Sequence, residues 1–470
     1  MKRAQLRGRL ATQPGSVRVS CHFDLVAVLT NVTLAPGMVM RLARARASGA
    51  VRKALLGVLL VGAALGFGCA PRSAAPKGGL TFSTWGSIDE MAILKPILAD
   101  FTRQTHIPVA LIHIPDQYPH KLRLMVAART VPDVMFIANE DLPGFANRGV
   151  FRDLGPFLAR DRTIRRSDFY PQALAAMSWN SKLYALPRDL SNLVVFYNKD
   201  IFRAAGVPFP KPDWTFSDLM RIAPKLTCRH AGCNPEHWAI GFQPNPLVWT
   251  PYVWSFGGDV MNAAMTRCTL TDPPALAALH FYVDLRNKYH YAPTDTEAGN
   301  ATMTQLFATG RLALFVYGRW AVPGYRKNIS FDWDVVPFPR GPAGSIVDTD
   351  ASGWAIAAAT RHPDRAWKLV RFLASRTSIE KFTSSGLIVP ARPDVANSPA
   401  FLSGKPAHSK VFLDVIKTGR PTRIPLSYDE ITWDLIDDLE PAWTGQQSID
   451  QALPPVAARI TALLQEDHQQ

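Results

Sequence analysis

The side chains of this 470-residue chain that could do chemistry are first of all its carboxylates and cysteines. Glu140, between Asn139 and Asp141, and Asp189, followed by Ser191 and Asn192, are two acids that could serve as general acid and general base on either side of a bond to be broken. The same planar groups also accept hydrogen bonds in pairs without any turnover. The sequence contains neither a G-x-S-x-G nucleophile motif nor a phosphate-cradling P-loop, so binding is the stronger reading of these acids and catalysis the weaker one. Cys228 and Cys233 close the short segment CRHAGC. In an oxidising compartment they are natural disulfide partners. Cys268 could pair with either instead, and a metal held with His230 and His237 is a sharper alternative, although the spacing matches no standard zinc pattern.

Cys69 belongs to a different kind of chemistry. It ends the apolar run VLLVGAALGFGC from Val58, which follows Arg41, Arg44, Arg46, Arg52 and Lys53. A basic region, an apolar stretch of about a dozen residues and small residues at a cut have the layout of a secretory signal, and the stretch is too short to span a bilayer. Cleavage before Cys69 would let its thiol carry lipid and hold the mature chain on the outer face of a membrane. Leu65 lies four residues before the cysteine rather than three, and bulky Phe67 stands where a small residue is preferred, so the lipidation pattern is imperfect. The expected organisation is an upstream extension over residues 1–37, with translation starting at Met38 or Met40, a lipoprotein signal over 38–68 and a Pro-rich tether over 69–78.

The leader also accounts for most of the charge. Residues 1–68 carry 10 of the 52 Lys and Arg and one of the 38 acids, which leaves 42 basic and 37 acidic residues, or +5, where the whole chain has +14. A mature body with so small an excess and no long run of like charge carries no nucleic-acid footprint.

The elements that must position these groups alternate. GLTFSTW reads as a strand, Met91, Leu94, Leu98 and Phe101 as one helix face that must accommodate Pro96, PVALIHI as a strand, Leu122, Met125 and Val126 as a second helix face, and PDVMFIA as a strand buried on both sides. This βαβαβ order predicts an α/β fold with a parallel sheet, in which ligands sit beyond the carboxyl ends of the strands. LVVFYN and GRLALFVYG are further strands, and Pro363 opens a helix that buries Ala366, Leu369, Val370 and Leu373. A body of about 390 residues exceeds what one core serves, so two domains are expected.

Several segments, in order, resemble the family 1 extracellular solute-binding proteins, which include the maltose-binding and glycerol-3-phosphate-binding proteins. They are FIANEDL, YALPRDLSNLVVFYNKDIFRAAGV, WSFGGDV, FATGRLALFVYGRW, DWDVVPFPRGP, ASGWAIAAAT and GLIVPARPDV, and the resemblance covers nearly all of residues 78–464. It implies a two-lobed, type II periplasmic-binding-protein fold with the ligand in a cleft between lobes joined by crossover strands. Residues 78–187 and 338–378 would form one lobe, residues 188–337 and 379–470 the other.

The resemblance also implies a sugar or polyol ligand. Such a ligand has apolar C–H faces that stack on aromatic rings and hydroxyls that pair with carboxylates, amides and guanidinium groups. On the family's pattern the ligand-facing positions are Trp85 after the first strand, Asn139, Glu140 and Asp141 after the third, Asp189, Ser191 and Asn192 at a crossing, Trp249 and Trp254 before the Gly257 turn, Trp320 after a strand end, Trp354, and Arg392. A phosphate-bearing ligand would need cations, for which Arg188, Arg319 and Arg392 are the candidates. No catalytic role, cofactor or metal is implied. The implied partners are the sugar, the permease subunits of an ABC importer with a separate ATPase, and the membrane through the lipid; the chain itself would act as a monomer outside the cytoplasm.

Overall fold

The computed structural model describes residues 76–230 and 232–469. The expected leader, Cys69 and the first part of the tether lie outside the described residues. In chain order the strands are β1 (Leu80–Thr84), β2 (Val109–His113), β3 (Val134–Ala138), β4 (Ser178–Trp179), β5 (Lys182–Leu183), β6 (Ala185–Ser191), β7 (Leu193–Asn198), β8 (Trp238–Ile240), β9 (Leu312–Gly318), β10 (Trp333–Val336), β11 (Asp350–Ile356) and β12 (Val389–Pro390). The principal helices are α1 (Ile88–Thr105), α2 (Tyr118–Ala127), α3 (Pro246–Ser255), α4 (Pro273–Asn287), α5 (Pro363–Leu373), α6 (Arg376–Ser384), α7 (Tyr428–Trp433) and α8 (Ile449–Asp467).

The first sheet runs β12-β6-β11-β3-β1-β2. Its β2-β1-β3 part is parallel, built from the expected β1–α1–β2–α2–β3 run. Strands β11, β6 and β12 are antiparallel to their neighbours, so the sheet is mixed rather than wholly parallel. Helix α1 starts where the Ser87 side chain accepts from the Glu90 N–H, and it buries Met91, Leu94, Leu98 and Phe101 on the predicted face. Pro96 lies inside this helix. Strand β3 has both faces covered, which explains its unbroken apolar run.

The second sheet, β10-β7-β9-β8, is antiparallel except for the β8–β9 pair. Phe196, Phe307, Tyr325 and Trp333 pack edge to face or tilted beside it. Helices α3 and α4 pack on each other, and α8 packs on α4.

Two segments link the two sheets, and a third runs beside one of them. Strand β6 continues into β7 through Asn192. The 337–349 segment carries β10 into β11 and is held against a third segment, where Arg420 N–H donates to Val347 O and Thr349 N–H donates to Arg420 O. Sheet membership corrects the expected lobe boundaries. Residues 188–191 belong to β6 of the first sheet, and β12 returns to that sheet beside β6, so the divisions at 187/188 and 378/379 both fall too early. The reason is that β12 is only two residues long and is fixed by a partner about 200 positions away, which no local periodicity encodes. Among the described residues, no helix is long and apolar enough to cross a membrane.

Candidate ligand-binding site

The carboxyl ends of β1 and β3 meet the end of β6 and the start of β11 along one edge of the first sheet, as open α/β sheets dispose their ligand loops. Trp85 follows β1 directly. Its half-buried ring packs on Phe136 at 4.4 Å and Tyr118 at 5.2 Å between centroids, and its remaining surface lines a pocket of about 150 Å³. Asp189, Ser191 and Asn192 from β6 line the same pocket, and Arg319 and Trp320 reach it from the end of β9 in the second sheet. A second open cavity of about 520 Å³ adjoins it, shares Glu90, Trp320 and Leu387, and is walled mainly by apolar groups such as Ile93 and Tyr317. Trp320 therefore forms a wall of both. The Trp320 ring folds back over Gly318, where any Cβ would run into it, so a glycine before the Arg-Trp pair is required to set the ring there.

The polar side of the pocket is a fixed chain of charge. Arg188 is buried over the Phe136 ring at 4.2 Å, its Nε donates to Asp189 Oδ2 at 2.6 Å, and its Nη1 pairs with Glu90. Burial alone would lower the pKa of Arg188, but Asp189 and Glu90 outweigh it and raise the guanidinium above its ordinary value. The other Asp189 oxygen accepts from Ser352 N–H at 3.1 Å. Asn192 Nδ2 donates to Phe412 O at 2.9 Å, while its Oδ1 is buried without a partner.

Beside the pocket, Asn139 is buried and tied by its backbone and side chain to Ala351 of β11. Its role here is to pin β3 to β11. Asp141 is buried and faces Arg123 at 3.5 Å; desolvation raises its pKa to about 6 despite that cation. Glu140, between these two in the chain, keeps an exposed side chain. Desolvation by the surrounding protein, then the charges of Asp350 and Asp141, push its pKa up to about 8. Asp350, buried and raised chiefly by desolvation, accepts from Thr422 N–H at 3.0 Å and Thr422 Oγ1 at 2.6 Å.

Five expected ligand contacts lie elsewhere. Trp249 is fully buried, packs on Trp443 at 5.9 Å and donates its Nε1 to Pro244 O. Trp354 is likewise enclosed between Phe136 and Phe382, because at its place on β11 the side chain points into the first lobe's core. Gly257, at φ +93, makes the turn after α3, where only a residue without a Cβ sits unstrained. Arg392 donates through Nε and Nη2 to Asp394 at 3.1 and 2.9 Å and lies near Asp168 and the Phe169 ring, so its charge is already matched away from the pocket. Trp254 borders a separate cavity of about 30 Å³ under α7, donates Nε1 to Asp259 and is covered by Arg420. Cys228 and Cys233 form a disulfide, leaving neither sulfur as a thiolate ligand beside His230, and Cys268 is a buried free cysteine.

Residues 85–378 match the model for bacterial extracellular solute-binding proteins. The chain belongs to that family. The maltodextrin-binding protein MdxE of Bacillus subtilis is 23% identical over 396 residues, 81% of this chain and 86% of that one. Among solved structures, the ABC substrate-binding protein Lmo0181 of Listeria monocytogenes, in complex with cycloalternan, superposes with a TM-score of 0.76 at 21% identity over 82% of this chain and 98% of that one. UgpB of Mycobacterium tuberculosis, in complex with glycerophosphocholine, gives 0.70 at 24% identity over 83% and 98%. The fold of this solute-binding protein is thus the two-lobed α/β fold that the motifs implied.

Glu90 was not expected in the site, although one signal points to it. It is the acid in the first turn of the helix that follows β1, where the carboxyl ends of the strands look. Leu387 and Ser352 had no such signal, since each is brought in by long-range strand pairing.

Proposed function

We propose that this protein captures a sugar or related polyol between its two lobes and presents it to the permease of an ABC importer, without chemical turnover. The carrying observation is the pocket itself: two tryptophans, Trp85 from the first lobe and Trp320 from the second, face a polar strip of Asp189, Ser191 and Asn192. A pyranose needs apolar rings for its C–H faces and paired acceptors for its hydroxyls, and here each lobe contributes one ring. A ligand that touches both lobes stabilises their closed arrangement over the open one.

The carboxylates support binding over catalysis. Asp189 is held by Arg188 and the Ser352 N–H, and Glu140 does not line the pocket that Asp189 lines. Incubation with labelled oligosaccharides is expected to leave them intact, and product above the uncatalysed control would contradict this reading. The membership of an extracellular family supports export, with Cys69 as the proposed lipid anchor, the permease as partner and the chain acting as a monomer. Mass spectrometry of the membrane fraction tests the anchor: a diacylglyceryl Cys69 is expected, and an unmodified secreted chain would overturn it.

Screening by thermal shift against mono-, di- and trisaccharides and glycerophosphates tests the ligand class. A true ligand at a hundred times its dissociation constant adds about 2.7 kcal/mol; a panel with no shift would contradict the proposal.

A further inference from the structure

The pocket between the lobes holds two guanidinium groups in opposite circumstances. Arg188 is clamped between Glu90 and Asp189. Arg319 is just as buried, at 1% exposure, yet no described carboxylate lies within ion-pair distance of it. Its Nη1 donates to Ser409 Oγ at 3.2 Å and its Nη2 to Phe401 O at 3.4 Å, while its Nε finds no acceptor. Phe401 and Phe412 lie against the guanidinium, at 4.0 and 5.3 Å from its central carbon.

These neighbours orient the cation without neutralising it. Neutral acceptors and ring faces return only part of the hydration a guanidinium loses on burial, and an unmatched buried charge is strongly disfavoured. Desolvation, and then the like charge of Arg326, lower the pKa of Arg319 to about 9. A fork of five N–H groups with two donated bonds retains capacity for a planar or tetrahedral oxyanion. Arg319 is one of the residues lining the ligand pocket, next to Trp320, and Phe412 beside its guanidinium is bonded to Asn192 of the same pocket, so the missing negative charge can arrive with the ligand.

We propose that the ligand carries an oxyanion, a phosphate ester or a carboxylate, that docks against Arg319, so that the cleft selects an acidic sugar or phosphorylated polyol over its neutral counterpart. This rests on the reading of the cleft as a sugar or polyol site and adds the charge of what it takes. Arg188 and Arg392 do not compete for the role, since each already faces carboxylates.

Calorimetric titration of the purified protein with matched pairs decides the matter: glucose against glucose 6-phosphate and glucuronate, and glycerol against glycerol 3-phosphate. In at least one pair the charged member is expected to bind tighter by about tenfold or more, the scale of one charged hydrogen bond, and the two anions then show whether phosphate or carboxylate fits. Inorganic phosphate should compete with the charged ligand. Arg319→Gln should abolish the preference for the charged member of each pair, and Arg319→Lys should keep part of it. Neutral members that bind as well as or better than charged ones overturn this inference and leave the sugar reading standing. A loss in Arg319→Gln shared equally by neutral and charged ligands assigns Arg319 to structure alone and overturns it too. Absence of binding by every member of both series overturns the sugar reading along with it. Should Arg319→Gln fail to fold, the wild-type ratio within each pair still decides.

Discussion

Trp85 and Trp320 each keep part of their ring in the cleft, whereas Trp249 and Trp354 are shut inside the lobes, and this difference separates two effects of the same substitution. Trp320→Ala is expected to weaken sugar binding by about 2 kcal/mol, the scale of a buried aromatic anchor, with a small change in melting temperature. Trp354→Ala should instead cost stability, about 3–5 kcal/mol for emptying a packed site. Calorimetry and denaturant melts read the two separately. Arg392→Ala should leave ligand affinity unchanged in the same titration, because its charge is matched by Asp394 and Asp168. Glu140 supplies a pH signature. Its folded pKa of about 8 stands above its ordinary value of 4.5, so the folded chain holds a proton that the unfolded chain has released. Its contribution to stability is therefore fully present below about pH 4.5 and is lost as pH rises through 8. Glu140→Gln should flatten the fall in melting temperature over that window; an unchanged pH profile would show that Glu140 does not titrate there. Residue types thus carried the expectation of sugar-binding chemistry but not which copies face the pocket. A tryptophan in a motif reads the same whether its ring faces a cleft or a core, and the difference is set by strand pleat and by long-range packing.

At the scale of elements, the β1–α1–β2–α2–β3 run was legible because its apolar periodicity is local: helix faces repeat every three or four residues and the buried strand is continuously apolar. The loop after β1 carries Trp85, which lines the pocket. The return of β12 and the pairing of β6 with β11 were not legible. They join residues far apart in sequence, and they bring Ser352 and Leu387 to the pocket. The Cys228–Cys233 disulfide closes a loop of a few residues that is also held by paired backbone bonds between Cys228 and His237. Replacing both cysteines by serine should lower stability by about 2 kcal/mol, the loop-closure value for so short a ring, and leave ligand affinity intact, since neither residue lines the pocket. A fall in affinity in that variant would mean that the loop reaches the ligand.

At the scale of the molecule, the two sheets are connected through Asn192 and the 337–349 segment, with the segment around Arg420 bonded alongside, and so few connections are what hinge closure requires. Ion pairs such as Arg123–Asp429 bridge the first lobe to α7 of the C-terminal helical region. On the proposed reading, a ligand bonding to Asp189 and Ser191 on one side and stacking on Trp320 on the other would favour the closed arrangement. Small-angle scattering should therefore show a smaller radius of gyration at saturating ligand, and an identical profile would contradict closure. The central claim, that the space between Trp85 and Trp320 is the capture site for a sugar or polyol, is tested most directly by calorimetric titration of the wild type and of Trp320→Ala with the best saccharide or glycerophosphate of the panel. The account predicts one ligand per chain for the wild type and a loss of about 2 kcal/mol, roughly thirtyfold in affinity, for the variant. Equal affinity in the two proteins, or no ligand from the panel at all, would contradict it.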